Sequence, residues 1–186
     1  YGIRIQPNLI LDVRCSRIPL ATGMLGNAPQ FDYFRYPYHL TVSPTSNHAL
    51  VKGLGLTNFL YASTIDTNVR TKTEVKKSVL LESSPNSRLQ YIPLEMNFDF
   101  LKYDIDPTKF DKPGQPIAML LEGRFPSLFE NRVTEDLLSG LKQLNLEYKA
   151  ESTPTRMVVV SDGDIAKNGI NPEAQSYKSL GFNKFE

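Results

Sequence analysis

The sequence predicts an α/β fold, a sheet with chain packed on both of its faces, and three observations carry that expectation. The first is Met157-Val158-Val159-Val160, four apolar residues closed by the polar turn Ser161-Asp162-Gly163-Asp164. An unbroken apolar run bounded by a turn reads as a strand buried on both faces, which needs a layer above it and a layer below. The second is Ile117-Ala118-Met119-Leu120-Leu121, a fully apolar run ending at Glu122-Gly123 and the natural sheet neighbour of the first. The third is the helical spacing of Leu137, Leu138, Leu141 and Leu144 in a stretch that is polar elsewhere, which predicts an exposed amphipathic helix or an excursion.

The chain has 186 residues, enough for one domain that buries roughly 70% of its unfolded surface. One domain over residues 1–186 is expected, with an excursion around 124–150. Its beginning reads as the continuation of something already under way: Gly2 suits the left-handed residue after a helix, and Ile3 and Ile5 then alternate as in a strand. Hydrophobic residues at 40% and charged residues at 22% exclude wholesale disorder. No window approaches the ~18 apolar residues of a membrane span. With 21 Lys and Arg against 20 Asp and Glu, the net charge is +1, so no global field draws the protein to nucleic acid or to an anionic membrane.

Cys15 is the single cysteine, which excludes an internal disulfide and a multi-cysteine zinc site. A catalytic thiol needs a base, and neither histidine, His39 or His48, forms a nucleophile motif with it, so Cys15 is expected to be buried and inert. Asp104, Asp106 and Asp111 lack the glycine and glutamate positions of a calcium loop and read as solvated. No cofactor and no metal are expected.

Between these landmarks, the apolar stretch 8–13 is followed by 16–20, which can be a strand only at an edge or up to Pro19. Residues 31–40 hold five aromatics in ten positions. Exposed, they would offer a platform to a sugar or a partner; their broken alternation and Pro37 predict a partly buried extended loop. A helical turn is expected over 47–54, ending at Gly53. Residues 58–65 and 77–84 read as strands, and the basic cluster at 70–77 as a solvated loop or hairpin tip in preference to a phosphate-binding patch. Residues 94–103 suit a strand or an amphipathic helix, Ser127 suits the N-cap of a short helix, and 173–180 a last short helix.

In open α/β sheets, ligands bind beyond the carboxyl ends of strands. Ser83, Ser84, Glu122, Ser161, Asp162 and Asp164 are therefore the candidate polar ligands for a glycan or small solute, with tyrosines as the stacking surface. The alternative is that Asp and Gly after a strand only make the turn and cap the next element. A third reading joins Ser83 or Ser84 with His39 or His48 and Asp162 as a hydrolase triad, although neither serine sits at an elbow.

The order of landmarks resembles one family. Tyr1-Gly2-Ile3-Arg4-Ile5, Asn8-Leu9-Ile10-Leu11-Asp12, Asn47-His48-Ala49-Leu50-Val51, Val79-Leu80-Leu81-Glu82-Ser83-Ser84, the 117–123 run with 125–129, Asn131-Arg132 and Val158-Val159-Val160-Ser161-Asp162-Gly163-Asp164 fall as in GldG-like proteins. Those are gliding-associated auxiliary components of ABC transporters in Bacteroidetes. The resemblance implies a three-layer, Rossmann-like α/β domain similar to class I glutamine amidotransferases and to the N-terminal domain of an intraflagellar-transport protein. It also implies an extracytoplasmic position at the periplasmic face of the inner membrane, anchored by membrane segments outside this chain, and ABC permease and ATPase subunits as partners. Catalytic amidotransferases carry a cysteine on a strand-to-helix elbow. This sequence has neither Gly-x-Cys-x-Gly nor Gly-x-Ser-x-Gly, so a catalytically silent, non-enzymatic member is expected, acting by protein contact or solute binding.

Overall fold

The structure, a computed structural model, describes residues 1–171 and 173–178. In chain order the strands are β1 (Arg4–Ile5), β2 (Asn8–Asp12), β3 (Cys15–Leu25), β4 (Ala28–Val42), β5 (Thr57–Leu60) and β6 (Ile65–Asp66). They continue as β7 (Val75–Glu82), β8 (Ser87–Tyr91), β9 (Pro116–Gly123), β10 (Thr155–Val160), β11 (Ile170–Asn171) and β12 (Ser176–Tyr177). One α-helix, α1 (Glu135–Gln143), and two short 3₁₀ turns, Asp99–Lys102 and Pro107–Lys109, complete the described elements. The strands form β7-β9-β10, β3-β4-β5 and three two-stranded pairs, β2-β8, β1-β6 and β11-β12. Every pairing is antiparallel.

The two apolar runs do pair: Met157 faces Leu121 and Val160 faces Ala118. Only the 117–121 run is buried between two neighbours. β9 lies between β7 and β10, and Ile117 to Leu121 are all buried. β10 has a neighbour on one side only, and Val158 is 50% exposed, so the strand expected to be buried on both faces is an edge. A run of apolar residues records hydrophobicity and not the number of neighbours. The helix over 135–143 forms where the leucine spacing placed it, capped by Thr134 Oγ1, which accepts from Leu137 N. It buries none of its residues, so helical layers over the sheet are not seen among the described residues.

Other elements depart locally. The strand expected over 58–65 stops at Leu60 because Tyr61 takes a positive φ of 60°, a conformation uncommon outside glycine. The expected loop over 31–40 is part of β4, and Pro37 is accommodated by an irregularity: Cys15 faces Leu40 and Arg17 faces Arg35, so Ser16 alone on β3 spans residues 36–39 on β4. Residues 94–103 hold only the Asp99–Lys102 turn, and Ser127 caps a turn without a helix, its Oγ accepting from Phe129 N. In place of a helix over 173–180 there is the β11-β12 pair; Ser179 and Leu180 lie outside the described residues. The helical turn at 47–54 is present, with Lys52 N donating to His48 O and Gly53 at φ 89°. Residues 70–74 lead as a loop into β7.

β3 and β4 make a long hairpin that turns at Gly26, whose φ of 64° suits the two-residue loop Gly26-Asn27. The outer half of this arm is exposed and its inner half is core. Alternation along β2 divides that core: Ile10 faces a main cluster with Leu40, Phe59, Leu80, Ile117 and Leu120, whereas Leu11 joins Tyr36, Tyr38 and Leu101 in a second. The second cluster floors a cleft of about 920 Å³.

Candidate functional site

The strand ends were the predicted site, and the structure brings part of it together. β7 and β10 flank β9 and both run against it, so Ser83 and Ser161 arrive at the same end of the sheet. There Ser83 N donates to Gln115 O at 2.9 Å and Ser161 N to Ile117 O at 3.0 Å, extending both ladders by one bond. The side chains are taken up in the same way. Ser83 Oγ accepts from Gln115 N at 2.8 Å and shares a 2.7 Å bond with Ser87 Oγ. Ser84 Oγ donates to Asp12 Oδ1 at 2.6 Å while its N–H donates to Asp12 Oδ2 at 2.7 Å. Ser161 Oγ donates to Ser63 O at 2.5 Å, and Asp162 Oδ2 accepts from Leu60 N at 2.9 Å.

The remaining two candidates lie elsewhere. Glu122 sits at the far end of β9, held by Arg156 Nε at 2.8 Å and Lys76 Nζ at 3.5 Å. Burial pushes its carboxyl up, but these two cations outweigh it and the group is held below the usual carboxylate range. Asp164 donates its N–H to Asp162 Oδ1 and pairs with Lys167 at 3.6 Å. Ser83, Ser84, Ser161 and Asp162 are thus clasps that fasten loops to strand ends, and Glu122 a surface ion-pair hub. The hydroxyl proton of Ser84 goes to the Asp12 carboxylate, and Asp162 receives two backbone amides, so the proposed triad is not assembled through them. Cys15 is half-buried, and burial raises its thiol above the ordinary value despite the Arg35 guanidinium beside it.

The cleft that the sequence did not place lies on the other side of β2 and has a volume of about 920 Å³. Its floor is sheet: Leu11 from β2, Arg88 and Gln90 from β8, and Tyr33, Arg35 and Tyr38 from β4, with Arg17 added from β3. Its far wall is the segment 95–110. Phe100 ties that wall to the floor, its ring stacked at 25° on Tyr36 with centroids 6.1 Å apart and set edge-on to Tyr38 at 5.9 Å. Leu101 is buried beside them. Glu95, Asp104 and Asp106 stand on this wall; hydrogen bonds from Thr108 hold the Asp106 carboxyl below its ordinary value.

The electrostatics of the floor are one-sided. Arg17 and Arg35 are direct cross-strand partners, an arrangement that costs free energy for like charges. Arg88 projects from the neighbouring β8 near Tyr38, whose hydroxyl donates to Gln90 Oε1 at 2.5 Å. Burial raises the Tyr38 hydroxyl above its ordinary value and the Arg88 charge works against that rise. Arg35 donates to the Val13 carbonyl. Among the described residues no carboxylate forms an ion pair with Arg17, Arg35 or Arg88. Ligand sites commonly combine a volume of this size, apolar walls and a few convergent polar groups. The advance signal was the aromatic stretch over 31–40; the pairing of Arg17 with Arg35 depends on strand register.

The scaffold and cleft define a β-rich module with a ligand-sized recess, in which the polar strand ends serve the fold. The chain belongs to the family described as ABC-type uncharacterized transport system, whose model matches residues 1–186. It is accordingly an auxiliary component of an ABC-type transport system. No curated protein and no solved structure matches the chain. No helix among the described residues is long and apolar enough to cross a membrane.

Proposed function

We propose that this chain is a non-enzymatic, extracytoplasmic solute-binding module of its transport system, working at the periplasmic face of the inner membrane beside ABC permease and ATPase subunits. The observation that carries the solute-binding part is the 920 Å³ cleft, whose floor presents three arginines without a carboxylate partner among the described residues. The position and the partners rest on family membership and on the resemblance to GldG-like proteins, from which a link to gliding motility also follows as a proposal. The same resemblance carries the three-layer Rossmann-like frame. We propose it for the intact protein alone, because it needs parallel neighbours and covering helices that the described residues do not supply.

A second reading, docking onto a transporter subunit, is favoured by the outer half of the β3-β4 arm, where Met24 is 65% and Leu25 77% exposed. Purification of the intact protein from membranes in mild detergent, followed by mass spectrometry, tests the assembly role. Permease or ATPase recovered in fixed ratio is the expected result. Recovery from the soluble fraction without either subunit overturns it.

A further inference from the structure

Resting on the solute-binding reading, we propose that the cleft takes an acidic carbohydrate: a short oligosaccharide bearing a uronate-type carboxylate. Three features of the cleft select that chemistry together. Arg17 and Arg35 face each other across the hairpin, and Arg88 adds a third guanidinium from β8. A bound carboxylate removes the like-charge cost and receives the planar, forked donors that guanidinium groups offer.

The walls fix the rest of the ligand. Tyr33 and Tyr103, 59% and 77% exposed, line the cleft with rings free to cover an apolar face of a sugar. Across from the arginines, Glu95 and Asp104 are carboxylates without an ion-pair partner among the described residues. Ionised carboxylates only accept hydrogen bonds, so this wall suits a ligand rich in neutral hydroxyl donors. The one lysine on this wall, Lys109, is engaged with Asp106 at 3.8 Å, so its two unpaired carboxylates disfavour a polyanion such as a nucleoside triphosphate. With Tyr38 bonded to Gln90 Oε1, the Gln90 amide nitrogen is left as a donor toward the same space. One negative charge beside many hydroxyls is what an acidic sugar presents, and neither a neutral glycan nor a polyphosphate matches both walls.

The test is titration calorimetry of the purified chain against aldotriouronate, a trisaccharide with a single uronate, and against maltotriose and ATP, repeated with Arg17→Gln and Arg88→Gln. Neither arginine side chain makes a hydrogen bond or ion pair with the described residues, so both variants should melt with the parent, which a thermal scan checks. Aldotriouronate binding that weakens about tenfold in each variant, falls with added salt and exceeds maltotriose binding about tenfold is the expected result. Equal binding of maltotriose, or binding unchanged in both variants, overturns the acidic-sugar assignment. Tighter binding of ATP than of aldotriouronate also overturns it, while solute binding at the cleft survives. Silence from all three probes overturns the assignment too, and subunits recovered with the intact protein then still support the assembly role.

Discussion

The two polar regions of this protein are opposites. At the strand ends around Asp12 and Ser161, hydroxyls, carboxylates and amides find partners inside the fold. In the cleft, Arg17 and Arg35 on paired strands and Arg88 on β8 form no ion pair with a carboxylate among the described residues, and three carboxylates stand on the facing wall. Buried polar groups are satisfied because leaving them unpaired costs more than a good bond returns. Exposed charges that could have been paired and are not cost less, and are what a ligand can use. The comparison teaches that polar residues clustered at a strand end can all be structural, whereas unpaired like charges in register point outward to something else.

The largest test of that contrast is Asp12→Ala. Asp12 is 1% exposed and accepts from Arg14 N, Ser84 N and Ser84 Oγ. Removing it strands those donors and should cost about 3 kcal/mol in urea unfolding. A loss under about 1 kcal/mol would show that water replaces the clasp.

Tyr36 gives an intermediate effect. Burial first, then the 3.0 Å hydrogen bond with Tyr61, pushes its hydroxyl well above the ordinary range. The folded state therefore favours the protonated phenol. That stabilisation is fully present below the unfolded tyrosine value of about 10 and drains away as pH rises beyond it. Melting temperature should fall above pH 10, and Tyr36→Phe should shallow the decline without abolishing it, because burial raises Tyr38 in the same direction. An unchanged slope would remove Tyr36 from the alkaline transition.

The smallest effect belongs to the cleft. Arg17→Gln should change unfolding stability by less than about 0.5 kcal/mol, or raise it slightly by relieving repulsion with Arg35. A loss comparable to that of Asp12→Ala would make the arginine a structural group and erase the comparison.

Part of the sheet was legible in the sequence, and the pairing of residues 117–121 with 157–160 was the clearest part. Which of the two was central was not legible, since Val158 and Leu120 are equally apolar and differ only in having one or two neighbouring strands. Local conformation hid the end of β5: nothing in Leu60-Tyr61-Ala62 announces a positive φ, which accompanies the bond from Tyr61 N to Tyr38 O, a long-range partner. The predicted site residues were chosen for their chemistry, and Ser83, Ser84 and Ser161 reached one end of the sheet. Asp12 and Ser63, which occupy them, were invisible because they come from distant segments. The cleft was hidden for a related reason. Arg17 and Arg35 oppose each other only because four residues of β4 pass a single residue of β3 at Pro37.

The link between β9 and β10 has a further consequence. Gly123, at φ 152°, leaves β9 so close to β7 that a Cβ there would lie 2.6 Å from Glu74 O, and beyond it Pro126 bridges Glu151. Ser127 N to Ala150 O and Ser152 N to Phe125 O close the neck. Beyond this neck the segment is tied back by the exposed Lys72–Glu130 ion pair at 2.8 Å, and α1 within it buries no side chain. Lengthening such a segment costs only the slow logarithm of its size, about 0.6 kcal/mol for each doubling. The neck is therefore a socket: descent or engineering can exchange what it carries, graft a reporter or lengthen the segment, while the sheet keeps its shape and the cleft, lined by other segments, keeps its own.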